Sequence, residues 1–224
     1  MSASDRAAAV ARPHAVLFDW DNTLVDSWDV IHEALNRTLI RYGLNAWSAD
    51  EVRGRVRKSM RESFPELFGD RWEEAGEFFL AAFADVHLER LSPLRGAEDL
   101  LRTLRSLGIP AAIVSNKTGG LLREEVTHLG WDGLFIRAIG ASDAERDKPA
   151  VEPVVAALEP CGIDPGPSVW FVGDTDVDLE CAANAGCAGV LVRAEPPNRS
   201  EFDEYPPLLH FSDCLALCKF VQNL

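Results

Sequence analysis

Residues 16–24 read Val-Leu-Phe-Asp-Trp-Asp-Asn-Thr-Leu, and the fold turns on how they are read. The apolar run from Ala15 to Phe18 stops at two acids set two apart, so a buried strand would deliver Asp19 and Asp21 to its carboxyl end. Open α/β sheets place their ligands at that edge. If the chain stays extended through Trp20, both carboxylates emerge on one side, a few residues before the turn that begins at Asn22 and Thr23. Acids crowded at a strand end repel unless a cation or a proton relieves them, which points to a metal-assisted reaction centre. The ordinary alternative is a polar strand end.

The rest of the chain supplies such a sheet. Residues 109–114 read as a strand running into Ser115-Asn116-Lys117, residues 134–139 as the next, residues 168–172 as a strand running into Gly173-Asp174, and residues 189–192 and 208–211 as the last two. Helical patterns over residues 97–107, 121–129, 152–161, 179–185 and 212–221 fall between and after them. This alternation predicts a Rossmann-like parallel sheet with helices on both faces. Residues 26–91 read differently, as wholly helical. Val30, Ile31, Ala34, Leu35, Thr38, Leu39 and Tyr42 recur at helical spacing, and Ser48 with Glu51 forms a capping box for a second helix that Pro65 halts. A longer helix is expected over residues 70–90. The expected organisation is therefore a loose tail over residues 1–12, an α/β core over 13–25 and 92–224, and an all-α cap over 26–91.

Composition bounds the function. A net charge of -14 over 224 residues disfavours nucleic acid and membrane surfaces as partners. No apolar stretch is long enough to span a bilayer, and the five cysteines form no C-x-x-C pairs, so we expect a cytoplasmic protein with unpaired thiols, monomeric or homodimeric.

Four segments carry the polar strand ends: D-W-D-N-T-L from Asp19, V-S-N at residues 114–116, D-K-P at residues 147–149 and G-D-T-D-V-D-L from Gly173. In that order and spacing the chain resembles the haloacid dehalogenase superfamily, on the phosphatase branch with a small helical cap at its first insertion point, such as the phosphoglycolate phosphatases. The resemblance spans residues 16 to about 192. It implies a HAD-like core and hydrolysis of a small phosphorylated metabolite through an aspartyl-phosphate. Asp19 would be the nucleophile, and Asp21 the acid that protonates the leaving alkoxide and then the base that activates water. Mg²⁺ would be held by Asp19, the backbone carbonyl of Asp21 and Asp174, with Asp178 as a further ligand or its hydrogen-bonding neighbour and Asp176 as a weaker competitor. Ser115 and Lys148 would hold the phosphoryl oxygens, assisted around Asn22, Thr23 and Asn116.

Alternatives remain for several of these residues: a helix N-cap for Ser115, a solvated ion pair with Asp147 for Lys148, a helix-start acid for Asp178. The family usually has Gly where this chain has Asn22, and Asn tolerates left-handed backbone next best. A phosphomutase of the same fold, or a non-catalytic protein that binds a phosphometabolite, would share the four segments. Finally, Arg53, Arg57 and Arg61 would share one helical face, where Arg53 and Arg57 could bind a second anionic group of the substrate or simply form a solvated face.

Overall fold

The computed structural model describes residues 11–56, 58–198 and 200–224, so the expected tail lies almost entirely, and Arg57 wholly, outside the described residues. The apolar run forms β1, Ala15–Phe18, with all four side chains buried. Alternation divides them between the two faces of the sheet. Val16 and Phe18 join one core cluster, Ala15 and Leu17 the other. A two-residue strand, β2 (Val25–Asp26), opens the helical insertion.

The insertion comprises α1 (Trp28–Arg41), α2 (Ala49–Arg55), α3 (Met60–Phe68), α4 (Trp72–Ala84) and α5 (His87–Arg90). It closes with β3 (Ser92–Pro93), which pairs antiparallel with β2 so that entry and exit lie side by side. Its apolar stripe gathers into a core of its own that includes Val30, Leu35, Leu39, Phe64 and Phe83. The Ser48–Glu51 capping box forms as expected, the Ser48 N–H donating to Glu51 and the Glu51 N–H to Ser48.

Two expectations fail here. Pro65 does not stop a helix but sits inside α3, and the break comes earlier, where Val56 is extended. A proline in a helix interior costs about 3 kcal/mol. Phe64 and Phe68, whose rings lie 4.9 Å apart in the insertion's core, offset that when each contributes about 2 kcal/mol of burial. The long helix over residues 70–90 is likewise divided, between α4 and α5.

The chain then alternates: α6 (Ala97–Ser106), β4 (Ala111–Thr118), α7 (Gly119–His128), β5 (Ala138–Ala141), α8 (Glu152–Leu158), β6 (Val169–Gly173), α9 (Asp176–Asn184), β7 (Ala188–Val192), β8 (Leu209–Phe211) and α10 (Cys214–Val221). β4 is longer than its apolar run, because Ser115, Asn116 and Lys117 remain in the strand. β5 starts later than expected, after a 3₁₀ turn at Asp132–Leu134. All six strands of the main sheet run parallel in the order β5-β4-β1-β6-β7-β8. Chain progression reverses at β1. Such a switch point opens a crevice at the carboxyl ends of β1, β4 and β6, just where the polar residues stand.

Among the described residues no helix is long and apolar enough to cross a membrane. All five cysteines are free.

The packing of α10 on α6 depends on Gly96, where φ is +79° and an added Cβ would collide with the Leu215 backbone. Gly108 has φ +68° but open space around it. Gly108→Ala should therefore cost about 1 kcal/mol of backbone strain, and Gly96→Ala at least twice as much. Equal losses in urea unfolding would contradict this packing.

Candidate active site

Asp19 follows β1 with its N–H still bonded to Val172 O at 2.9 Å, so it is held against β6 at the centre of the sheet edge. The chain then turns sharply: Trp20 O accepts the N–H groups of Leu24 (3.0 Å) and Val25 (3.2 Å), and the Asn22 N–H bonds Val25 O at 2.7 Å. That turn requires left-handed backbone, and Asn22 adopts it with φ +61°. Its side chain also accepts the N–H of Ser27 at 3.2 Å, a tie to the start of α1 that glycine would lack.

Three carboxylates converge beside this turn. Oxygens of Asp19, Asp174 and Asp178 all lie within 4.8 Å of one another. Lys148 reaches in between, its Nζ donating to Asp19 Oδ1 and to Asp178 Oδ1, each at 2.7 Å. Burial opposes the ammonium charge, but Asp178 and Asp19 outweigh it and hold Lys148 protonated. Burial pushes the Asp19 carboxyl up to about 7, with Lys148 pulling the other way and Asp178 adding to the rise. Asp174 is raised well above the usual carboxylate range, again by burial first and then by Asp178 and Asp19. One lysine thus leaves the cluster with excess negative charge. Hard oxygen donors carrying such charge suit a hard divalent cation such as Mg²⁺.

Within the cluster the roles divide. Asp178 Oδ2 accepts the Asp174 N–H (3.2 Å), the Thr175 N–H (3.0 Å) and the Thr175 hydroxyl (2.8 Å), so with Lys148 on its other oxygen it is fully engaged. It is a helix-start acid and a holder of Lys148 at once, which leaves Asp19 and Asp174 as the better-placed metal ligands. Asp178 comes this close because residue 173 is glycine; a Cβ there would strike its side chain. Asp176 is exposed on α9 and outside the cluster.

Several expected phosphate contacts are relocated. Thr23 is fully buried and donates its hydroxyl to Asp174 Oδ1 at 3.1 Å, while its N–H is turned to Trp20 O. It therefore orients a carboxylate. Ser115 lines the cavity, and its hydroxyl accepts the Lys117 N–H at 3.2 Å. Asn116 also lines the cavity and donates to Lys148 O at 3.2 Å, bracing the D-K-P segment. The expected surface pairing of Lys148 with Asp147 is absent; Asp147 instead receives two bonds from Arg61, including Nη2 to Oδ1 at 2.6 Å, tying α3 to the core.

Asp21 stands apart from the carboxylate cluster, its Oδ1 2.8 Å from Lys117 Nζ. Lys117 in turn donates to Glu125 Oε2 at 2.6 Å. Glu125 is fully buried and also binds Trp20 Nε1 (2.6 Å) and His87 Nδ1 (2.8 Å), so it joins β1, β4, α7 and the last helix of the insertion. Burial opposes the Lys117 charge, but Asp21 and Glu125 outweigh it. Sequence reasoning missed Lys117, Glu125 and His87; the available signal was a lysine inside a strand and a glutamate on the apolar side of α7. Trp20 belongs to the core and not to the cavity wall.

Asp19, Asp21, Ser115, Lys148, Asp174 and Asp178 all line one cavity of about 170 Å³ between the sheet edge and the insertion. Arg53 and Arg61 do not share a helical face, because α2 ends at Arg55 and α3 begins at Met60. Arg53 lies outside the cavity wall, 3.7 Å from Asp50.

Residues 16–192 match the profile of the haloacid dehalogenase-like hydrolases. The chain belongs to that family. A phosphoglycolate phosphatase from Aquifex aeolicus is 32% identical over 79% of this chain and 83% of its own length. One from Rhodobacter capsulatus is 28% identical over 93% and 97%. A solved HAD-superfamily hydrolase from Ehrlichia chaffeensis superposes with a TM-score of 0.65 at 29% identity, covering 96% of this chain and 99% of that one. The family match ends where β7 ends, so β8 and α10 lie outside it.

Protons compete with a divalent cation for Asp19, whose carboxyl titrates near 7. The melting-temperature rise produced by Mg²⁺ should therefore be small at a pH one to two units below that value and grow as pH rises through it; a rise independent of pH would contradict the cluster. Separately, Glu125→Ala removes one of the two counter-charges of the buried Lys117 and the partner of Trp20 Nε1 and His87 Nδ1, and should cost about 3 kcal/mol or more in denaturant unfolding. A loss within experimental error would mean that the Glu125 network does not hold the site.

Proposed function

We propose that the chain is a Mg²⁺-dependent phosphatase that hydrolyses a small phosphorylated metabolite through an aspartyl-phosphate. The observation that carries this reading is that Asp19, Ser115, Lys148 and Asp174, from four separate segments, line one cavity in a member of a hydrolase family. The names of the relatives, phosphoglycolate phosphatases, support a phosphomonoester as substrate.

In this reading the Asp19 carboxylate attacks phosphorus, and the bond to the leaving oxygen breaks as Asp21 supplies it a proton. Asp21 then takes a proton from water, which attacks the aspartyl-phosphate, releasing inorganic phosphate and restoring Asp19. Lys148 and the Ser115 hydroxyl hold the phosphoryl oxygens in line. Asp178 fixes Lys148, and Thr23 fixes Asp174. When bound by Asp19 and Asp174, Mg²⁺ would neutralise charge on the phosphoryl group and bring it to Asp19.

Inorganic phosphate release from a panel of phosphomonoesters, with Mg²⁺ and with chelator, tests the reading. Chelation and Asp19→Asn should each abolish release, and Asp21→Asn should slow it by about 10²–10⁴-fold. Release by Asp19→Asn at the parent rate would refute the nucleophile. Transfer to a second sugar hydroxyl, with none to water, would make the protein a phosphomutase instead.

A further inference from the structure

We propose that the leaving group accepted by this cavity is apolar, so that the preferred substrates are short-alkyl or aryl phosphate monoesters, not esters carrying a second anion or several hydroxyls. The inference rests on the phosphatase reading above and adds the substrate class to it.

The wall facing the reacting carboxylates is built from the helical insertion and α7. Trp28 and Ile31 of α1, Phe64 of α3, Phe79 and Phe83 of α4, and Leu121 of α7 all line it. The polar side chains that the insertion adds to the lining are Arg55, Lys58 and Ser63 among the described residues. The Ser63 hydroxyl is already donated to Ser59 O at 2.9 Å. A sugar would leave most of its hydroxyls without partners against such a surface, at a cost of roughly 1–3 kcal/mol each.

A second anion fares no better. Of the four cations in the lining among the described residues, Lys148 is shared between Asp19 and Asp178, and Lys117 between Asp21 and Glu125. Arg55 sits at the rim, over the Trp47 ring at 4.7 Å and 3.3 Å from Glu51. Lys58 is exposed. Arg61, which might have entered, is bound by Asp147 and is not in the wall. Meanwhile Asp19, Asp21 and Asp174 face the same space and repel negative charge beyond that of the phosphate itself.

An apolar chain meets the opposite balance, because each buried methylene gains the hydrophobic increment without an unpaired partner. The cavity, about 170 Å³, must also take the phosphoryl group, so the space left for the leaving group is at most that of a small apolar cavity able to hold a benzene ring. It therefore suits one ring or a short chain.

The test is the Mg²⁺-loaded protein with ethyl, butyl and hexyl phosphate, phenyl phosphate, 2-phosphoglycolate and glucose 6-phosphate. Primary alcohols of this series leave with near-equal intrinsic ease, so differences report binding of the chain. We expect kcat/KM to rise about fourfold per methylene until the cavity is filled, with hexyl phosphate exceeding 2-phosphoglycolate at least tenfold. Titration calorimetry with ethyl-, butyl- and hexylphosphonate, which cannot be hydrolysed, reads the same preference without turnover. If no ester is cleaved but the phosphonates bind more tightly with length, the catalytic reading fails and the apolar pocket stands. A flat phosphonate series, or 2-phosphoglycolate as the best substrate, overturns the proposal even in an active phosphatase. Leu80→Asn and Leu121→Asn, both at partly exposed positions of the wall, should each reduce the hexyl-to-ethyl affinity ratio at least threefold; an unchanged ratio in both counts against it.

Discussion

One ammonium group organises the site. Lys148 Nζ lies 2.7 Å from both Asp19 and Asp178, at the sheet edge where Asp178 is fully buried and Asp19 nearly so. Buried carboxylates cost several kcal/mol each unless paired. Everything around the site acts to keep that pairing possible: Gly173 makes room for Asp178, the backbone of residues 174 and 175 saturates its far oxygen, and Asn116 braces the Lys148 carbonyl. The compensation is incomplete, with three acids around one lysine, and the remaining charge raises Asp19 and Asp174. A centre that is short of positive charge has room for a cation.

A second lysine keeps Asp21 separate. Lys117 lies between Asp21 and Glu125 under the Phe83 ring, 4.8 Å from its centroid, so the two acids of the D-x-D pair share a cavity but not a counter-charge. The two carboxylates to which the proposed reaction gives different roles thereby have different electrostatic surroundings. Glu125 and His87 carry this arrangement to the end of the insertion, and Arg61 with Asp147 makes an independent tie near its middle. The position of the helical insertion is thus bound to both halves of the site by buried polar contacts as well as by its apolar wall.

How much of this was legible in the sequence depends on how local each cause is. The end of β1, the left-handed Asn22 and the Ser48–Glu51 cap are set by residues adjacent in the chain, and they form as read. That the polar strand ends share one edge follows from parallel topology alone, whereas their order along it is set by the crossovers. Pro65 was misread because its local penalty is outweighed by Phe64 and Phe68 packing on distant helices. The presumed arginine face failed with it, since a break at Val56 removes the common axis. Thr23 was assigned to phosphate on position, but its partner Asp174 is 151 residues away. Lys117 and Glu125 are only eight residues apart, but they stand on a strand and on the following helix, and the acid and the indole that join them, Asp21 and Trp20, are about a hundred residues away.

In the proposed reaction Asp19 supplies the oxygen that attacks phosphorus, with Lys148 and a cation holding the incoming group. Acid-quenching the enzyme during turnover and mapping the covalently bound phosphoryl group by peptide mass spectrometry examines that claim directly. The account predicts an acid-stable, base-labile phosphoryl group on Asp19. Phosphate bound to another residue, or turnover without any covalent adduct under conditions that trap acyl phosphates, would contradict it.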